Sequence, residues 1–550
     1  MNTEFQPSRA PLSGVPVKWG KVIDNARCIA CHACTVACKQ EHRVPLGVTR
    51  TYVKQVEVGA FPQVRRHFQV TRCNQCDDPP CVEACPVTAM FQRPDGIVDF
   101  DRERCIGCKA CMAACPYDAI YINPNNRSAE KCNFCAHRID QGLTPACVAV
   151  CPTQAIIIGD LNDPESAVAR ITARDKVDVR KPEKDTRPKL FYRQASEYTL
   201  LPMAAVSAPI QAAVNWGGGP AQPPRRAEAR TTNPPPFATQ ARTMNSPSPN
   251  PGAGVGNRGR AGTMVETAAA ALLAYDTPHR APWDWKVTAY TWTKSIAAGI
   301  FLVFAFFWWR EGPLPGPWPL LASGLSGLFL AMTGALLIAH LSHPARFWYI
   351  LARPQWRSWL ARGAYIMAGY GLLLGGFFPA ALAGAELLMD ALVGPGAILA
   401  LLSAVFTAFL MGQSRGRDLW QNPLLPAHFA VHSAAAGLAA TLLFAPFAGL
   451  EPVTWSLGWA LAGAGGVNLL LSLSELAMPL PTADGKRAVE SLTLGRHAGG
   501  YWAGIGLSGL APLVAMALGA GGVPAGVAVL VGLLLYQHAY LQAGQSVPLS

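Results

Sequence analysis

Sixteen cysteines lie between Cys28 and Cys151, and none follows. They form four groups of four. The first is Cys28, Cys31, Cys34 and Cys38; the second is Cys73, Cys76, Cys81 and Cys85. The third is Cys105, Cys108, Cys111 and Cys115; the fourth is Cys132 and Cys135, a gap, then Cys147 and Cys151. Thiols this dense hold either each other or a metal. A disulfide framework belongs to small secreted domains and lacks this regular spacing. Zinc takes paired C-x2-C units and has no use for a third cysteine three residues on and a fourth four residues later. The pattern points to a polynuclear metal centre.

The spacing C-x2-C-x2-C-x3-C resembles that of two-cluster bacterial ferredoxins, in which three close thiolates grip one cubane and the fourth reaches its neighbour. Pro86, Pro116 and Pro152 follow the last cysteine of three groups, as in that motif; Lys39 stands there in the first. The resemblance implies four 4Fe-4S clusters with exchanged fourth ligands. Cys73, Cys76 and Cys81 would then share a cluster with Cys115, and Cys105, Cys108 and Cys111 with Cys85. Cys28, Cys31 and Cys34 would take Cys151, and Cys132, Cys135 and Cys147 would take Cys38. Motifs two and three are joined by a short strand-and-turn segment from Phe91 to Asp101, so motifs one and four must pair around them.

The 550 residues are 51% hydrophobic, but unevenly so. Residues 1–206 are polar and cysteine-rich, and read as a ferredoxin-like electron-transfer domain. Residues 207–280 form a Pro/Gly/Arg-rich stretch that reads as a disordered linker, since it has too few large apolar residues to fold alone. Residues 281–550 are dominated by Leu, Ala, Gly, Phe and Val. Much of the net charge of +12 lies in the linker and in short loops between apolar runs. That suits a membrane surface and argues against nucleic acid.

A spanning helix needs about 20 predominantly apolar residues. Eight segments qualify: 286–309, 319–341, 362–385, 393–412, 426–448, 455–478, 500–520 and 523–543. The expected fold is thus an α+β ferredoxin-like domain followed by an all-α, eight-helix transmembrane bundle. Arg346, Arg353, Arg357, Arg362, Arg415, Arg417, Lys486, Arg487 and Arg496 occupy loops on one side, against Arg310 alone on the other. By the positive-inside rule the first side is cytoplasmic, and the cluster domain lies there. The opening residues carry neither an apolar signal core nor a twin-arginine pair, in keeping with that side. The expected location is the bacterial inner membrane.

Ionisable residues within apolar spans are costly and so mark function. Tyr290, Lys294, His340, His343, Arg346 and Glu475 all fall in the cluster-side half and make up a candidate quinone site. Such a site needs hydrogen-bond donors for the carbonyls and a proton route to water. The distal half is apolar, with Glu386, Asp390 and Glu451 expected in its loops, which disfavours a transmembrane proton pump. His428 and His432 lie one turn apart on one helix and cannot bracket a single iron, so no haem is expected.

The sequences CIACHACTVACK, CNQCDDPPCVEACP, CIGCKACMAACPYDAI and KCNFCAHRIDQGLTPACVAVCPTQAI resemble the four-cluster subunit of the dimethyl-sulfoxide-reductase superfamily. The run HLSHPARFWYILARPQWRSWLARG after the second helix is similar to the eight-helix, quinone-reactive anchor of the polysulfide reductase type. The resemblance implies two normally separate subunits fused into one chain, and a molybdopterin-containing catalytic subunit as partner. It also implies a quinone near the cluster-side ends of the first helices. Some relatives lack one cysteine of motif three; here Cys108 completes it. The expected function is electron transfer between that partner and the membrane quinone pool. The rival is a respiratory module that exchanges electrons with cytochromes and lacks molybdenum.

Overall fold

The computed structural model describes residues 16–59, 62–201, 204–207, 271–278, 280–312, 316–450 and 453–549. Most of the expected linker, 208–270, and Glu451 therefore lie outside the described residues.

The cluster half is built on short strands that bring distant cysteine motifs together. Trp19–Asp24, just before motif one, pairs antiparallel with Ile156–Asp160, just after motif four, with Ile23 opposite Ile156. This pairing is why motifs one and four meet. Leu190–Arg193 adds in parallel on the other edge and Val177–Asp178 antiparallel to that. Motifs two and three are joined by the antiparallel hairpin Met90–Gln92/Val98–Phe100, and a second hairpin, Ile120–Ile122/Ala129–Lys131, leads to motif four. A further sheet holds Tyr52–Val58 against Arg65–Thr71. Ala271–Tyr275 pairs antiparallel with the other side of Tyr52–Val58, and Val206–Ser207 adds in parallel at the edge, so a late part of the expected linker is a strand of the cluster domain. Its Ala-Leu-Leu-Ala-Tyr sequence supplies the apolar surface that the preceding Pro/Gly run lacks.

Among the described residues, eight helices are long and apolar enough to cross a membrane: spans 1 to 8 are Trp285–Glu311, Trp318–His340, Trp359–Leu382, Glu386–Gly412, Leu425–Ala448, Thr454–Ala477, Ala498–Ala517 and Gly522–Gln545. Span 4 begins well before residue 393. Gly394 and Pro395 read as a start, but Pro395 sits inside the helix, as proline can where neighbouring helices compensate the lost hydrogen bond. Glu386 and Asp390 are therefore in its first turns rather than in a loop, and Asp390 accepts a bond from Trp308 Nε1 at 2.6 Å. Span 7 is interrupted by a π-turn at Gly506–Leu510.

Span 1 is the axis of the bundle, packed against spans 2, 4, 5 and 8. Its closest approach is to span 5, where Gly299 and Gly437 face each other backbone to backbone. With no hydrophobic drive between helices in lipid, such contacts between small residues supply the packing energy. A Cβ on Gly437 would overlap the Gly299 backbone. Gly437→Leu should therefore sharply reduce folded, membrane-inserted protein, while Gly463→Leu, where nothing lies within 4 Å, should be tolerated. Detergent-solubilised yield and thermal stability of the two variants check this.

Candidate functional site

The sixteen thiols sort into four neighbourhoods. Cys28 and Cys34 lie beside Cys151, and Cys38 beside Cys132 and Cys147. Cys81 faces Cys73, Cys76 and Cys115; Cys111 faces Cys85, Cys105 and Cys108. In the last case all four thiols line one small cavity, between Ile106 and Met90. Among the described residues no three such side chains converge as the ligands of a single ion would. Backbone N–H groups point at several sulfurs: Ala89 to Cys85 (3.2 Å), Ala129 to Cys105 (3.4 Å) and Ala155 to Cys151 (3.2 Å). Burial pushes the Cys76 thiol up to about 12 and those of Cys115 and Cys135 up to about 11. Unbound, these would be neutral thiols; only a cationic metal core makes thiolates favourable there. The donor set, its spacing and the N–H···S bonds fit iron–sulfur cubanes.

The cluster half is docked on the face carrying both ends of the membrane half and the loops after spans 2, 4 and 6. Ser342 and His343, just past span 2, donate backbone N–H bonds to Gly107 (3.3 Å) and Ile106 (3.1 Å). A Cβ on Gly107, whose φ is +70°, would overlap Ser342. Gln355 N donates to Pro86 O at 2.8 Å and Ser358 Oγ to Ala84 O at 2.9 Å. Arg346 donates to the carbonyls of Arg102 and Cys105, both at 3.0 Å, and Arg415 pairs with Asp78 at 2.8 Å. Lys181 pairs with Asp484 at 2.7 Å, and Lys184 with Asp418. Arg346 and Arg415 thus serve docking as well as any topological role.

Directly beneath this contact, a groove of about 700 Å³ runs between spans 1, 2 and 3. Its walls are Gly324, Gly327, Gly334, Met367, Gly371 and similar apolar residues; at its cluster end stand Cys108, Tyr290 and His340. His340 Nδ1 lies 3.2 Å from Asp284 Oδ1. An ionised carboxylate only accepts, so Nδ1 carries the proton and Nε2 holds the lone pair. Nε2 is buried and has no partner. Lys294, one turn beyond Tyr290, is fully buried; its Nζ donates to Ala404 O (3.0 Å) and Thr407 Oγ1 (2.5 Å) and lies 4.4 Å from the Phe406 ring centre. Thr407 also contacts the Tyr290 hydroxyl.

The expected site residues therefore separate. Tyr290 and His340 line the groove, and Lys294 stands behind Tyr290. His343 and Arg346 belong to the docking surface. Glu475 sits elsewhere, in a buried network among spans 5, 6, 7 and 8. There His428 Nδ1 meets Glu475 Oε1 at 2.9 Å, and its Nε2 meets Asn468 Oδ1 at 2.9 Å. Asn468 donates to Ser508 Oγ at 3.0 Å, within the π-turn of span 7, and Tyr536 OH donates to Glu475 Oε2 at 3.2 Å. A vestibule of about 270 Å³ reaches Glu475 from the loops after spans 4 and 6. His428 is thus a partner of Glu475. Asp284 was not singled out in sequence, though its place as N-cap of span 1, accepting from Lys286 N at 3.1 Å, follows from the Asp-Trp-Lys start.

A model described as a 4Fe-4S dicluster domain matches residues 64–161, and one described as polysulphide reductase, NrfD, matches residues 275–547. A tetrathionate reductase subunit of Salmonella typhimurium is 44% identical over 196 residues, covering 35% of this chain and 78% of that protein. This protein belongs to the family of 4Fe-4S dicluster subunits of the dimethyl-sulfoxide-reductase type, fused to a NrfD-type membrane anchor. A polysulfide reductase chain of Wolinella succinogenes is 40% identical over 177 residues, 32% of this chain and 93% of that one. The arsenate respiratory reductase iron–sulfur subunit ArrB of Shewanella sp. is 35% identical over 224 residues, 32% of this chain and 96% of that one. These relatives align with the cluster half alone, and their kinship implies a catalytic partner. The fusion is a multi-pass membrane protein.

In the fusion, the docking contacts fix the distance between Cys108 and the groove. Arg415→Glu would place like charges against Asp78 and Glu83, and should loosen the interface. Hydrogen exchange at the Gln355, Ser342 and His343 amides is expected to accelerate relative to wild type, with exchange in spans 5 and 8 unchanged.

Proposed function

We propose that this chain carries electrons between a molybdopterin-containing catalytic subunit and the quinone pool. Cys28, Cys31, Cys34 and Cys151 hold one 4Fe-4S cluster, and Cys38, Cys132, Cys135 and Cys147 a second. Cys73, Cys76, Cys81 and Cys115 hold a third, and Cys85, Cys105, Cys108 and Cys111 a fourth. When bound, the clusters supply a one-electron relay. The carrying observation is that Cys108, Tyr290 and His340 line the same lipid-sized apolar groove. A quinone needs two electrons and two protons to become a quinol, so its headgroup must meet both a relay and a proton-transfer group. His340 suits the second task. Asp284 orients the ring, and Nε2 accepts a proton from a quinol hydroxyl or, once protonated, donates to a quinone carbonyl. Tyr290 offers a second hydrogen bond, steadied by Thr407 and Lys294. Glu475 and His428 exchange protons with the vestibule on the same side.

Purified protein should hold about 16 iron atoms per chain, four for each cubane. His340→Ala should retain that iron and dye-linked electron transfer while quinol turnover falls by roughly 100-fold, in the range for loss of a general base. Unchanged quinol kinetics would move the headgroup away from His340, and parallel loss of iron would mark a structural role.

The cluster side is proposed to be cytoplasmic. With Arg346 and Arg415 assigned to docking, Arg353, Arg357, Arg362, Arg417, Lys486, Arg487 and Arg496 still oppose Arg310 alone. A reporter fused after Ser550 is expected to be active in the cytoplasm, and periplasmic alkaline phosphatase activity would reverse the orientation.

A further inference from the structure

Three buried cations in the cluster half have carboxylate partners: Arg50–Glu130 (2.7 Å), Lys189–Asp77 (2.8 Å) and Lys181–Asp484 (2.7 Å). Arg72 departs from this. It is 1% exposed, its Nη1 donates to Cys147 Sγ at 3.0 Å, and its Nε and Nη2 have no partner. A buried guanidinium is costly without a compensating anion. Its one hydrogen bond goes to the Cys147 sulfur, so a negatively charged thiolate-bound centre there would balance it.

Lys21 is a second buried cation beside the thiols of this centre, while Lys131 acts on Cys73 and Cys81 ahead of Cys132. Lys21, 2% exposed, has its Nζ 3.8 Å from the Phe134 ring centre and acts electrostatically on Cys132 and Cys135. Lys131, 0% exposed, donates to the carbonyls of Val98 and Cys132. His42 Nε2 adds a contact to Cys135 Sγ at 3.1 Å. The set at Cys85, Cys105, Cys108 and Cys111 differs. Sulfur contacts there come from backbone N–H groups, and Arg346 is the cation nearest Cys105.

Reduction adds one negative charge to a buried centre, so nearby uncompensated cations favour the reduced form. We propose that Arg72, supported by Lys21, makes the centre at Cys38, Cys132, Cys135 and Cys147 the highest-potential of the four. This rests on the four-cluster reading above. The position is internal to the relay. Cys34 adjoins Cys147 on one side, and Lys131 spans to Cys73 and Cys81 on the other. Arg72 is thus a positioning charge for the electron, placed between the membrane-adjacent sets and the set at Cys28, Cys31, Cys34 and Cys151. It would hold the first electron of a two-electron transfer away from the groove until the second arrives.

The test is an anaerobic redox titration of the full chain in detergent, followed by electron paramagnetic resonance, with iron content measured in parallel. Arg72→Met should lower the highest of four midpoint potentials by at least a tenfold change in the reduced-to-oxidised ratio, about 59 mV for one electron. The other three should move less, and Arg72→Lys should restore most of the shift. If Arg72→Met loses iron, Lys21→Met carries the test, because Lys21 makes no sulfur bond; it should lower the same transition by a smaller amount. A shift confined to a lower-potential transition, or no shift in either variant, overturns the proposal. Wild-type protein with well under 16 iron atoms would instead overturn the four-cluster reading, whatever Arg72 does.

Discussion

The two hydrogen bonds from Ser342 and His343 to Gly107 and Ile106 are the contact on which the rest of the molecule depends. They join backbone to backbone, so the spacing between the third cysteine motif and the end of span 2 does not vary with side-chain rotamers. Gly107 lets the chains approach that closely. The same turn carries Cys108 into the groove wall and sets His340 within reach of Asp284. The relay and the membrane site are therefore positioned by one interface, and Arg346, Arg415, Lys181 and Lys184 clamp its periphery.

The membrane half divides its polar residues between two places with different surroundings. The groove at spans 1 to 3 is largely apolar along its length, with Tyr290 and His340 at its cluster end. The Glu475–His428 network lies among spans 5 to 8, is satisfied by Asn468, Tyr536 and Ser508, and meets the outside through a separate vestibule. Lys294 stands between them, solvated by a carbonyl, a hydroxyl and two aromatic faces. Each place thus faces the cluster side.

Charge within the cluster half is arranged with comparable economy. Carboxylates neutralise the cations that hold strands and loops together, as Glu130 does for Arg50. Arg72 and Lys131 are left to face sulfur. Burial makes that difference count, because a charge a few ångströms away in a low-dielectric interior acts far more strongly than one in water.

The sequence by itself determined the cysteine groups, the α+β-then-helical order of the two halves and the eight spans. Cysteine spacing reports ligand geometry within a few residues, and span length is set by bilayer thickness, so both are local properties. Tyr290 and His340 were legible as candidates because polar groups in apolar runs are conspicuous. What the sequence did not separate was the groove from the rest. His343 and Arg346 follow His340 closely, yet they face the cluster domain. Glu475 shares a membrane depth with His340, yet belongs to another group of helices. The strand at Ala271–Tyr275 was hidden because its partner, Tyr52–Val58, is some two hundred residues away. Helix-to-helix packing around span 1, fixed by the Gly299–Gly437 approach, and the docking of Gly107 on Ser342 decided these points. They are long-range contacts whose partners carry no mutual signal in a single sequence.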